Sequence, residues 1–200
     1  MRSYTIYTIG YTAFSEDKFI DTLKKFGISC LIDVRSYPVA SEFYQIYSKS
    51  SLEPLLQYNK ILYRNYAKEF GARQENRKYY MSEGCVDFSK FANSPEFQSG
   101  VDKIKKGCDL NYNFVLMCAE KDPINCHRAI MVARNMALQG FEIKHILADG
   151  RIETQDELNQ RLLDLYHYQP SFLQTRDEQI AEAYKRKNIE IGFKGNEKYD

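Results

Sequence analysis

No stretch of this 200-residue sequence approaches the ~18 consecutive apolar residues that a membrane-crossing helix requires, so no membrane partner is expected. Its opening residues, MRSYTIYTIGYT, lack the apolar core and small-residue cleavage site of a signal peptide, and a cytoplasmic location is the expectation. An excess of one charge is missing as well: 28 Lys and Arg stand against 27 Asp and Glu. Without a global field, any preference for anions has to be local. Cysteine is sparse and odd in number. The five, at 30, 85, 108, 118 and 126, sit in a chain large enough to bury its own core, which argues against a secreted disulfide framework and leaves free thiols or a metal site. Internal repeats and low-complexity segments are absent too.

What is present is α/β patterning. Residues 4–9 (YTIYTI) are β-branched and aromatic and end at Gly10, the signature of a strand and turn. Ser15 then precedes a helix on which Phe19, Ile20, Leu23 and Phe26 recur at helical spacing before Gly27 stops it. The apolar run 28–34 reads as a strand covered on both faces, completing a parallel strand–helix–strand unit. The pattern weakens after Pro38, with a short helix around Leu52, Leu55 and Leu56, a strand at 61–66, a long polar loop at 67–85 and a helix at 95–106. It recovers in a strand at 112–118, a helix from about Cys126 to Gln139 and a strand at 141–147. Thr154 and Glu157 form a capping-box pattern ahead of a helix at 155–167. The charged stretch 175–200 offers one weak helix, with Ile180, Ala183 and Tyr184 as its core residues. The predicted fold is a three-layer α/β domain at 1–167, with a mostly parallel sheet of about five strands and helices on both faces. A C-terminal extension at 168–200, helical or partly mobile, follows it.

Ligands of open α/β sheets bind outside the carboxyl ends of the strands. Three loops qualify: Gly10-Tyr11-Thr12, Asp33-Val34-Arg35-Ser36, and the run from Cys118 to Arg128. The last is densest, with a thiol at the strand end, the carboxylates Glu120 and Asp122, and Cys126, His127 and Arg128 at a helix start. Backbone N–H groups and the dipole there favour an anion and lower a thiol's pKa. Arg128 adds a fork that fits carboxylate or phosphate.

Thr8-Ile9-Gly10, Asp33-Val34-Arg35 with Pro38, and above all the eight fixed positions of Cys-Ala-Glu-x-Asp-Pro-x-x-Cys-His-Arg at 118–128 resemble the DUF488 family of uncharacterised bacterial and archaeal proteins. The resemblance covers residues 4–150 and implies an α/β domain with a polar site shared by these motifs. It implies no reaction. Members commonly carry a His after the first Gly, where this chain has Tyr11, and a Gly-Gly pair where it has Gly71-Ala72 before Arg73.

Several chemistries compete for the third loop. A metal would draw on Cys118, Cys126 and His127 with Glu120 or Asp122, but adjacent residues on a helix point about 100° apart, which opposes Cys126 and His127 facing one ion. A nucleophilic Cys126 has the electropositive surroundings that make a thiolate. Both cysteines also fit as small buried residues that close the loop. Asp33 and Arg35 suit either a ligand or a buried ion pair. Glu120 and Asp122 serve as acid and base or as partners of nearby cations. His145 reads as a core histidine, and His167 as a residue at a helix end.

Six basic residues between 60 and 80, interleaved with Tyr63, Tyr66, Phe70, Tyr79 and Tyr80, suit nucleic acid or a solvated loop. The expectation of choice is a phosphate-bearing small molecule, a nucleotide or nucleoside derivative. Arg35 and Arg128 hold it, Gly10, Tyr11, Asp33, Cys118 and His127 line its site, and Glu120, Asp122 or Cys126 is the catalytic candidate. The alternatives are a nucleic-acid-binding module using 60–80 and Lys185-Arg186-Lys187, and a metal- or thiol-dependent enzyme centred on Cys118 and Cys126. No cofactor beyond such a metal is expected.

Overall fold

The computed structural model describes residues 4–195, so the first three residues of the predicted domain and the last five of its extension lie outside the described residues. In chain order the strands are β1 (Thr5–Gly10), β2 (Cys30–Asp33), β3 (Leu62–Asn65), β4 (Phe114–Cys118), β5 (Glu142–Ile146) and β6 (Ile152–Thr154). They form one sheet in the order β3-β2-β4-β1-β5-β6, parallel except for β6, which runs antiparallel to β5. The sheet thus has six strands where about five are predicted. The additional one, β6, is three residues long and too short to show alternation.

The main helices are α1 (Glu16–Lys25), α2 (Lys49–Tyr58), α3 (Ala67–Phe70), α4 (Phe88–Ala92), α5 (Pro95–Asp109), α6 (Arg134–Leu138), α7 (Gln155–Leu165) and α8 (Arg176–Ile191). Every residue of β4 is buried, and its side chains divide between two cores. Phe114, Leu116 and Cys118 join Phe97, Met131, Leu158 and Ala183 on one face, while Val115 and Met117 join Phe19, Leu23, Leu52 and Leu56 on the other. The period-2 alternation of a strand, applied to an all-apolar run, yields this two-sided burial and the three layers. The loop predicted at 67–85 contains α3 and a 3-10 turn at Arg77–Tyr79, because Phe70 and Tyr79 are buried and anchor it.

Thr154 and Glu157 form the predicted capping box of α7, and Thr175 with Glu178 forms another at α8. Ile180, Ala183 and Tyr184 are the apolar side chains that α8 buries, and Tyr184 Oη donates to Asn159 of α7 at 2.9 Å. None of the described helices is long and apolar enough to cross a membrane.

The connections define the edge on which the candidate site lies. From β1 the chain enters α1 on one face; from β4 it enters the helix ending in α6 on the other. Because β1 and β4 are neighbours, their loops diverge and leave a crevice at their carboxyl ends, the topological switch point of the sheet.

Candidate functional site

The central strands end level: Gly10 pairs with Cys118, and Asp33 with Met117. All three loops selected from the sequence therefore leave from one place. The loop after β4 folds across the end of β1, where the Ala119 carbonyl accepts from both Thr12 N at 3.2 Å and Thr12 Oγ1 at 2.7 Å. Beneath it, a Cβ on Gly10 would stand 1.9 Å from the Glu120 carbonyl oxygen. The backbone of Gly10 is ordinary extended strand (φ −109°, ψ 115°), so glycine is required here for space rather than for φ.

Arg128 is fully buried, and its guanidinium turns back to the loop, with Nη1 donating to the Glu120 carbonyl at 2.6 Å. It is a brace under the loop and not part of the cleft lining. Asp122 caps the turn Pro123–Asn125 by accepting from Ile124 N, and it is gripped by Arg161 of α7 at 2.7 and 3.2 Å. It too faces away from the cleft. Burial pushes its carboxyl up, but the hydrogen bonds from Arg161 and Ile124 more than offset this and hold it below the usual range. Both partners keep about 40% of their side-chain exposure (39% and 41%), so solvent screening makes the pair weak. Asp122→Asn is expected to lower stability by about 1 kcal/mol, measured by urea denaturation, and to leave ligand binding in the cleft unchanged.

Cys118, Glu120, Cys126 and His127 come together. Cys126 Sγ lies 2.7 Å from Glu120 Oε2; Cys118 Sγ lies 3.2 Å from the same oxygen and 3.6 Å from His127 Nδ1. The predicted divergence of Cys126 and His127 is corrected by the helix boundary. The helix starts at His127, one residue later than predicted, and Cys126 precedes it in extended backbone (φ −132°, ψ 136°). With Cys126 outside the helix, the 100° step does not apply and both side chains face one point. The first turns, Arg128–Ala133, are π-helical, a form that recurs at functional sites. His127 is fixed from behind, its Nε2 lying 2.9 Å from the Val34 carbonyl after β2; as an N–H donor there, it leaves Nδ1 facing the thiols.

The electrostatics of the four groups are linked. Burial and the neighbouring Cys126 push the Cys118 thiol well up. Burial also opposes ionisation of Cys126, yet its hydrogen bond with Cys118 and the charges of Arg128 and His127 hold it well below the usual thiol range. Glu120 is raised, by burial first and then by Cys126.

Cys118, Glu120 and His127 floor a cleft of about 610 Å³ whose wall includes Tyr11 and Arg35. Tyr11 stacks on Tyr47 at 4.6 Å, and the Arg35 guanidinium sits 5.1 Å above the Tyr11 ring. Arg35 is clamped by Asp33 (Nε–Oδ1 2.9 Å, Nη2–Oδ2 2.6 Å) and by the Tyr47 carbonyl, while Tyr63 Oη donates to Asp33. Asp33 therefore stands behind Arg35, outside the cleft. At the mouth, Arg73 lies 5.4 Å from the rings of both Tyr37 and Phe193, and the segment Glu190–Lys194 closes the far side.

The sequence reading missed Tyr37 and this C-terminal segment, which carry no local signal of a site, and it placed Arg73 in the basic stretch rather than at this cleft. In the basic stretch 60–80 the cations are exposed, but Tyr63, Phe70 and Tyr79 are buried and offer no surface for stacking.

The family model described as "Domain of unknown function DUF488" matches residues 15–134. This chain belongs to the DUF488 family. Comparison with curated proteins and with solved structures finds no match. The DUF488 match spans β2, β4, the cluster and Arg35, while Gly10 and Tyr11 precede it and Glu190–Lys194 follows it.

Proposed function

We propose that the cleft binds a small phosphate-bearing molecule of the nucleotide or nucleoside class, presenting it to the Cys118–Glu120–His127 floor. One observation carries this reading. Arg35 lines the cleft with its Nε and Nη2 fixed by Asp33 and the Tyr47 carbonyl, whereas its buried Nη1 has no hydrogen-bond partner among the described residues. A buried guanidinium nitrogen without an acceptor is costly, and a small shift of the side chains that cover it would let an anionic oxygen in the cleft satisfy it. Lys194 at the rim adds positive charge, and the Tyr37–Arg73–Phe193 grouping offers planar surfaces for a base. Arg35, rather than Arg128, is then the anion-holding residue, and Glu120 is the acid–base group, its raised pKa bringing proton exchange nearer neutrality.

A thermal-shift panel of inorganic phosphate, sugar phosphates, nucleotides and short single-stranded DNA and RNA tests this. A phosphate ester at about a hundred times its dissociation constant adds ~2.7 kcal/mol, which for a domain of this size raises Tm by roughly 5–10 °C. Lys194→Gln is expected to weaken binding several-fold, and Arg35→Gln to abolish it. The reading fails if no small phosphate stabilises the wild type, if folded Arg35→Gln binds equally well, or if only the oligonucleotides respond, with an affinity that collapses in salt.

A further inference from the structure

We propose that Cys118, Cys126 and His127 form a zinc-type metal site whose open position faces the cleft. This goes beyond the anion reading and does not rest on it. The two Sγ atoms and the imidazole nitrogen already lie within 4.8 Å of one another. A tetrahedral ion with bonds of about 2.3 Å to sulfur and 2.0–2.1 Å to nitrogen separates a sulfur and a nitrogen ligand by about 3.6 Å, and Cys118 Sγ stands 3.6 Å from His127 Nδ1. Cys118 and His127 thus already have the required separation, and the pairs involving Cys126 lie within 4.8 Å.

The surroundings support the same reading. His127 Nε2 sits 2.9 Å from the Val34 carbonyl, the backbone partner that metal-ligating histidines use to hold their tautomer and aim the other nitrogen at the ion. Cys126 is aimed by the extended backbone just ahead of the helix, and Cys118 by the end of a fully buried strand, so rigid elements supply all three ligands. A divalent ion bound by two thiolates and a neutral imidazole makes a group of zero net charge, which suits a buried cluster.

Thiolate and imidazole ligands select a borderline-soft divalent metal, zinc foremost, over magnesium or calcium. Three protein ligands leave a fourth position, and because Cys118 and His127 line the cleft it opens there. That is the arrangement of a catalytic rather than a structural zinc. Glu120, whose Oε2 touches both sulfurs, is placed to exchange a proton with a water or ligand in that position.

The test uses the untagged full chain, purified under reducing conditions, with metal content measured by mass spectrometry and Co²⁺ as a spectroscopic substitute. The expected result is one zinc or cobalt per chain, with thiolate-to-cobalt charge-transfer absorption, intense tetrahedral visible bands and a fall in Tm on chelation. Cys118→Ser, Cys126→Ser and His127→Gln should each weaken cobalt binding by at least about tenfold, whereas Cys108→Ser, outside the cluster, should leave the spectrum unchanged. A folded, reduced wild type that gives no thiolate–cobalt band overturns the proposal without recourse to any variant. So does a band that survives unaltered in both Cys118→Ser and Cys126→Ser, or a Cys118–Cys126 disulfide recovered from metal-loaded protein. Metal bound without stabilisation by any phosphate ester would remove only the anion reading; the converse result would remove only the metal.

Discussion

Gly10→Ala is expected to cost about 3 kcal/mol or more and to remove ligand and metal binding together. The added methyl would meet a backbone carbonyl oxygen at 1.9 Å, well inside any real contact, so either β1 or the loop after β4 has to move. Neither is free to do so. Gly10 is paired with Cys118 in mid-sheet, and the loop is held by Thr12 through Ala119 and by Arg128 through Glu120. Overpacking a well-packed core typically costs about 1–3 kcal/mol, and a clash with pinned backbone rather than a side chain puts this position at or above the upper end. Displacing the Glu120 backbone also displaces its side chain and Cys118. Chemical denaturation gives the stability and cobalt titration the site; a Gly10→Ala protein of wild-type stability would show that the loop yields easily.

Acid is expected to destabilise the protein through His145. His145 sits on β5 opposite Thr8, fully buried, with Nδ1 2.8 Å from Thr8 Oγ1 and no hydrogen-bond partner at Nε2 among the described residues. Burial pushes its pKa down to about 3, helped by the charge of Arg128. An unfolded histidine titrates near 6.5, so below that pH the unfolded chain takes up a proton that the folded one refuses. The stability present above pH 6.5 is therefore lost progressively from 6.5 down towards 3, at about 1.4 kcal/mol per pH unit, or roughly 2.5 kcal/mol by pH 4.5. Replacing His145 by Asn, which keeps an acceptor for Thr8, should flatten the pH dependence over that interval by this amount. Equal slopes for the two proteins would show that His145 is protonated in the fold.

The strands were legible where burial on both faces left an uninterrupted apolar run, as in Phe114–Cys118, and the helices where a cap or a stop marked an end, as with Ser15 and Gly27. Ile152–Thr154 was not, because a three-residue strand shows no period. The edge rule brought Cys118, Glu120, Cys126 and His127 to one place, and the structure agrees. Misplacing the helix start by a single residue reversed the inference about Cys126 and His127. Arg128 misled for a different reason: sequence does not say whether a guanidinium faces a ligand or a carbonyl, and the Glu120 and Lys121 carbonyls lie close enough to take it. The far wall of the cleft comes from Glu190–Lys194, some sixty residues beyond the motif in the chain.

The level ending of β1, β2 and β4 also bears on how fast and how reproducibly the cleft works. Its floor is carried by the end of β4 and the helix start beyond it, next to interior strands of the kind whose amides typically open only with the whole domain. The floor therefore exists before any ligand arrives, and no ordering entropy is charged to binding there. On the proposed reading, entry past Tyr37, Arg73 and Phe193, rather than assembly of the groups on the floor, is expected to set the association rate.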